Sequence, residues 1–266
     1  MKKILTIITL LIFTITGTAI AEDDPKARAI MEKVDDRDDG DNSTSEMRMI
    51  LIDKHGNKRT RHLKSFGKDK GEDRLRLMFF MSPADVKDTG FLTYDYDDAD
   101  RDDDQWLYLP ALRKTKRIAS SDKSGSFMGS DFTYSDMTKR ALEDYDFKLL
   151  KETKVGKHKV WLIEANPRSK EIIDETGYTK SVLFVRQDID FVIRAVHWVK
   201  DGGYNKYYDV KKLEKIDGIW TSRETHMTTK KGKKINHKTI LSFDNVKYNQ
   251  DIKESMFTIR RLEKGL

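Results

Sequence analysis

From Ser43 onward the chain alternates apolar and polar residues with a period of two, and each alternating run is stopped within about a dozen residues by a turn signal. Met47, Met49 and Leu51 share one face of the first run, with Arg48, Ile50 and Ile52 on the other. His55-Gly56-Asn57 then turns the chain into the next run, and Leu75, Leu77, Phe79 and Met81 share a face of the third. Asp201-Gly202-Gly203 and Lys230-Lys231-Gly232 are hairpin turns later in the chain. Side chains on a strand point alternately to its two faces, so a period of two is the signature of a half-buried strand. Short turns between strands permit only antiparallel pairing, and no strand-helix alternation supports a parallel sheet. The reading is a mainly β, α+β fold of about eleven strands in one meander. Such a sheet closes into a barrel or curls into an incomplete antiparallel β-barrel whose apolar cavity is capped by short helices.

Helical material is scarce. Pro25 to about Asp36 reads as a short amphipathic helix, with Ala27, Ile30, Met31 and Val34 at helical spacing, and Lys253 to Phe257 as a single turn. Residues 1–21 carry Lys2 and Lys3, an apolar run from Ile4 to Phe13 and the small-residue end Ala19-Ile20-Ala21. These features predict a secretory signal peptide, leaving residues 22–266 as one domain exported to the periplasm. With no Cys in the chain, a lipid anchor, disulfides and thiolate metal sites are not expected.

Charged residues make up 36% of the chain, above the usual ~25%, but the two signs nearly cancel. This describes a solvated exterior, and together with export it argues against nucleic acid as a partner. Asp35, Asp39, Gly40 and Glu46 match four positions of an EF-hand loop, yet Arg37 stands where an oxygen ligand is required. That stretch, like the acidic run Asp97 to Asp104, reads as a solvated turn, and no metal is expected. The six His are scattered without a zinc motif. Phe127-Met128-Gly129-Ser130-Asp131 lacks the glycine pattern of a nucleophile elbow. No catalytic residues and no cofactor are expected.

The stretch from Gln105 to Met137 is where binding is best supported. It sets the aromatic strand of Trp106 and Tyr108 beside the basic run containing Arg113 and Arg117, then a Gly/Ser-rich loop, then an aromatic turn. Trp106, Tyr108, Phe127, Met128, Phe132, Tyr134 and Met137 are read as cavity and lid, joined by Trp198 on a later strand with the same one-face spacing. Arg113 and Arg117 are placed near a ligand headgroup or a docking partner, because a buried guanidinium needs a carboxylate or phosphate partner. Such a partner could also be internal, with Asp131 or Asp136 as candidates, and an ordinary β core remains the competing reading of the aromatics.

The segments W-L-Y-L-P-A-L-R-K-T-K-R-I and F-M-G-S-D-F-T-Y-S-D-M resemble the exported, LolA-like outer-membrane lipoprotein-sorting proteins, supported by DDRDDGDNSTSEMRMILID upstream. The resemblance spans essentially the whole mature chain. It implies an incomplete barrel closed by helices and a non-enzymatic carrier or acceptor of lipoprotein or lipid, with transient membrane contact. The branch implies an inner-membrane permease of the RND/MMPL type as a partner. Two other readings stand beside it: an accessory subunit of such a permease that carries no lipid, and a periplasmic hydrolase on a β scaffold.

Overall fold

The computed structural model describes residues 23–266, so the expected signal peptide, residues 1–21, lies outside the described residues. One antiparallel sheet organises the chain. Its first half comprises β1 (Asn42–Ile52), β2 (Lys58–Lys70), β3 (Asp73–Ser82), β4 (Gly90–Asp95), β5 (Asp104–Leu109) and β6 (Lys114–Arg117). The second half comprises β7 (Tyr145–Val155), β8 (His158–Pro167), β9 (Tyr178–Arg186), β10 (Phe191–Val199), β11 (Asn205–Ile216), β12 (Ile219–Lys231) and β13 (Lys234–Tyr248). Among the described residues there are thirteen strands rather than about eleven, because even the four-residue basic run of β6 pairs fully with β5.

The strand order is β6-β5-β4-β3-β2-β1-β13-β12-β11-β10-β9-β8-β7. Every neighbouring pair but one is a simple hairpin neighbour in sequence; the exception joins the first strand to the last, with Met49 opposite Leu241. The sheet is therefore an incomplete barrel whose open edges are β6 and β7. These two are consecutive in the chain but lie at opposite ends of the strand order, so residues 118–144 have to cross one face of the sheet to join them.

Register identifies that face. Leu149, Ile163, Leu183, Ala195, Tyr208, Met227, Thr239 and Leu51 follow one another as cross-strand partners from β7 to β1, and so all point to the same side. Both larger apolar clusters belong to this inner side. The helix α1 (Pro25–Asp35) covers the β7–β9 part, burying Ala27, Ile30 and Met31 against Phe147, Ile163 and Val185. Asp24 caps it by accepting from the amides of Lys26 and Ala27, and its other carboxylate oxygen accepts from the Leu149 amide, 3.1 Å. Asp23 accepts from the Phe147 amide, 2.8 Å, so the start of the helix also satisfies part of the open edge of β7.

The outer side carries a separate cluster of Leu75, Leu77, Phe79 and Leu92 under Phe257 and Leu262. Its cover is the 3-10 turn Glu254–Met256, near the expected turn, and a further helix, α3 (Ile259–Lys264), beyond it. A third helix, α2 (Lys170–Thr176), has no counterpart in the sequence reading. It is about two turns long, started by Ser169 accepting from the Ile172 amide and stopped by Gly177 in the left-handed region.

Candidate lid over the inner face

The crossover begins at Ile118, which is buried, and is pinned by Lys123, whose ammonium, 1% exposed, meets Glu175 of α2 at 2.6 Å. It then folds on itself through an antiparallel bridge between Ser126 and Thr133. At its tip Met128 and Gly129 both have positive φ, +50° and +75°. This reversal drives Phe127 into the inner face, where its ring lies 5.0 Å from Phe91, 5.6 Å from Tyr134 and 6.3 Å from Phe80. Phe127 and Phe132 join Leu63, Phe80, Phe91 and Leu107 in one cluster, with Met128, Tyr134 and Met137 half-buried at its margin. The inner face is apolar, but where a cavity is expected the side chains of the crossover fill it.

Polar groups hold the same segment. Asp131, 4% exposed, accepts from Thr229 Oγ1 at 2.5 Å and Thr239 Oγ1 at 2.7 Å, and its other contact is His237 Nδ1 at 2.7 Å. Asp136 accepts from Tyr178 Oη at 2.8 Å and Arg140 Nη2 at 3.1 Å, and from the Thr133 amide at 2.8 Å. Burial alone would raise the Asp136 pKa, but the charges of Arg140 and Lys206 outweigh it and hold the carboxyl below its ordinary value. Three backbone carbonyls of the crossover are also taken by strand side chains: Met128 by Arg61 (2.5 Å), Tyr134 by Gln105 (2.9 Å) and Met137 by Arg76 (2.9 Å). These contacts fix the segment against the inner face at several separate points.

The structure separates the residues that the sequence grouped together. Phe127, Met128, Phe132, Tyr134 and Met137 do meet on the inner face. Trp106 and Tyr108 do not join them, because Leu107 between them points inward and alternation sends its neighbours outward. Both pack in the cluster beneath the C-terminal helix, Trp106 edge-on to Tyr94 at 5.0 Å. Trp198 lies on the side of β10 opposite the buried His197, with Lys180 Nζ 4.8 Å from its ring. A bulge between Val192 and Arg194 shifts the alternation of β10 and places Val192 in the α1 cluster, away from the Trp198 side. Arg113 is exposed in the turn before β6, and Arg117, at the other end of β6, pairs with Asp104. Neither reaches Asp131 or Asp136. Arg186 and Arg194 likewise find Asp188 and Asp209 instead. Of the two carboxylates expected as internal partners, Asp136 is taken by Arg140, which the sequence does not single out.

One Ser–His pair lies within the inner face, Ser181 Oγ to His197 Nδ1 at 2.7 Å, with the Tyr178 ring stacked 4.7 Å from the imidazole. Burial, reinforced by Arg140, pushes the His197 pKa down to about 3. An imidazole that weakly basic is a poor general base near neutral pH. Asp39 of the EF-hand-like stretch is taken by Arg74, which also binds Asp69 at 2.9 Å.

A polar cleft of about 320 Å³ lies where the crossover rejoins the sheet at β7, lined in part by Asp95, Asp103, Lys139, Glu143 and Glu175. Burial, with the neighbouring Asp95 charge, pushes the Asp103 pKa up to about 6 from an ordinary 3.8. A raised carboxyl pKa favours the folded state while the group is protonated, and that advantage disappears as pH rises from the unfolded value to the folded one. Asp103→Asn is therefore expected to be more stable than the wild type above pH ~6, with the difference closing toward pH ~4. Urea denaturation at a series of pH values measures it.

A family model described as uncharacterized-protein-like matches residues 72–264. No curated protein sequence matches the chain. Among solved structures, a DUF1329 family protein from Desulfovibrio piger is 29% identical with a TM-score of 0.82, over 91% of this chain and 99% of that one. A putative outer membrane lipoprotein-sorting protein domain from Vibrio parahaemolyticus is also 29% identical, with a TM-score of 0.81 over 90% of this chain and 98% of that one. A LolA superfamily protein from Nitrosomonas europaea shares the fold at 16% identity, with a TM-score of 0.66 over 88% and 98% of the two chains.

Proposed function

The chain belongs to the LolA-like family of outer-membrane lipoprotein-sorting proteins, and from that premise we propose that it is a periplasmic carrier or acceptor of lipoprotein acyl chains or another lipid. It binds its cargo on the inner face of the sheet and passes it between membrane components without catalysis. The observation that carries this reading is the crossover itself: a single segment that spans an apolar concave face and fills it with Phe127 and Phe132. Withdrawing the lid exposes Leu63, Phe80, Phe91, Leu107 and Met227, a continuous wall suited to acyl chains. The half-buried Met128 and Met137 adapt to chains of different shape.

Energetics determine how the cargo has to travel. Each CH₂ moved out of water is worth about 0.8 kcal/mol, so a lipid with several long chains gains tens of kcal/mol, and release into water is impractical. Handover must take place on contact with a membrane or a membrane protein, and a lid that opens on contact serves that step. A filled inner face would equally suit an accessory subunit of an RND/MMPL-type permease that carries no lipid, and the same experiments distinguish the two.

Native mass spectrometry after gentle purification is expected to find bound lipid, and the purified protein to take up a fluorescent fatty acid saturably. Phe132→Ala and Tyr134→Ala are expected to impair retention of the probe more than they lower the thermal midpoint. Thr229→Val, which removes one donor to Asp131, is expected to speed uptake by loosening the lid. No co-purified lipid together with no uptake would sink the carrier reading and leave the accessory subunit.

A further inference from the structure

Two neighbouring hairpins project from one end of the sheet. The turn between β1 and β2 carries Lys54, Lys58 and Arg59, all exposed. Beside it, since Ile52 of β1 pairs with Lys238 of β13, the turn between β12 and β13 carries exposed Lys231, Lys233 and Lys234. Lysines and arginines elsewhere on the surface are commonly ion-paired, as Lys70, Lys116 and Arg194 are, but these six take part in no ion pair among the described residues. Asp53, the carboxylate within the first turn, is already used by the His55 and Asn57 amides. Asp85, Asp88 and Asp201 are the exposed carboxylates of the adjoining turns.

Large apolar side chains emerge among the charges. Ile235 is 49% exposed, and Tyr204 at the neighbouring turn is 37% exposed with Lys231 Nζ 5.7 Å from its ring. Unpaired cations surrounding exposed apolar tips suit a surface of anionic headgroups over hydrocarbon, where lysine heads meet phosphate and their stems and apolar neighbours enter the interface.

The same hairpin holds the lid. Thr229 and His237, the partners of Asp131, form a cross-strand pair at its root. Arg61, which follows the first basic turn, holds the carbonyl of Met128 at the lid tip. We propose that the paired hairpins are a docking surface for an anionic lipid bilayer, which brings the lid tip and its Asp131 latch up against the membrane. This deepens the carrier reading by naming its membrane-facing surface, and it is tested without any lipid cargo, so either can fail alone.

The test is co-sedimentation of the full mature chain with vesicles of phosphatidylcholine and phosphatidylglycerol, set against phosphatidylcholine alone. Binding is expected only with the anionic lipid and is expected to weaken with added salt. Each basic side chain near such a surface strengthens attachment roughly fivefold, so Lys231→Glu, Lys233→Glu and Lys234→Glu together should weaken it by about a hundredfold or more. These turn residues are solvated, and an unchanged circular dichroism spectrum verifies the fold. Lys54→Glu with Lys58→Glu on the other hairpin is the second variant and should weaken binding in the same direction. Asp98→Lys with Asp100→Lys, on a distant acidic turn, should leave vesicle binding within a few-fold of the wild type. Equal binding to both vesicle types, no binding, or no effect of either hairpin variant overturns the proposal. Salt-dependent binding of these hairpins to a purified acidic protein, with no vesicle binding, overturns it in favour of a protein partner.

Discussion

Phe127→Ala is expected to lower the unfolding free energy by about 3–5 kcal/mol, one of the two largest losses from any single truncation in the lid. The ring is 1% exposed and touches three others, Phe80, Phe91 and Tyr134, contributed by two strands and by the lid itself. Each favourable aromatic pair adds roughly 0.5–1.5 kcal/mol beyond area burial, and the void left behind cannot collapse because its walls are strands in a continuous ladder. For a domain of this size the thermal midpoint should fall by roughly 10 °C. Met128→Ala, at the half-buried tip, is expected to cost less than about 1.5 kcal/mol. Thermal and urea denaturation of the two variants side by side measure the contrast. A Phe127→Ala protein within ~1 kcal/mol of the wild type would mean that the lid packs loosely and folds apart from the sheet.

The strands were legible because their alternation is local, and the first helix because Pro25 and the spacing of Ala27, Ile30 and Met31 are local too. What the local pattern lacks is the identity of the face. Trp106 and Tyr108 share a side of β5 in the sequence as in the structure, but only the long-range register shows that this side is the outer one. The bulge at Val192 and Arg194 shifts the alternation by one residue, which no composition signal announces. The joining of β1 to β13 pairs residues about two hundred positions apart, and that pairing turns residues 118–144 from part of a meander into the bridge between two sheet edges. The latches were hidden for the same reason. Asp131 meets Thr229, His237 and Thr239, each about a hundred residues away. By contrast, the apolar half of the site was readable, since Phe127, Phe132 and Tyr134 lie close together in the chain and the glycine beside Met128 marks the reversal that turns them inward.

Asp136→Ala is expected to cost about 3–5 kcal/mol, comparable to the aromatic truncation although no apolar group is removed. Its carboxylate sits between Arg140 and Tyr178, and the Thr133 amide also depends on it. Without it Arg140, which lies over the Tyr178 ring at 5.1 Å with its side chain 26% exposed, keeps a half-buried charge with no counter-ion, and the tyrosine hydroxyl loses its acceptor. Removing one member of a buried ion pair costs more than replacing both with apolar groups, so adding Arg140→Met should recover much of the loss. The pH dependence has a definite sign. Because the Asp136 pKa is held below its ordinary 3.8, its contribution is complete above about pH 4 and fades only as pH falls through the lower, folded value. The penalty of Asp136→Ala should thus be constant from neutral to mildly acidic pH and shrink in strong acid. Urea denaturation of the two single variants and the double variant forms the cycle that measures the pair. A single variant costing under ~1 kcal/mol would leave Phe127 and its neighbours as the lid's principal anchor, and opening would then be governed by apolar packing, with Asp131 and the β12–β13 hairpin as its remaining polar hold.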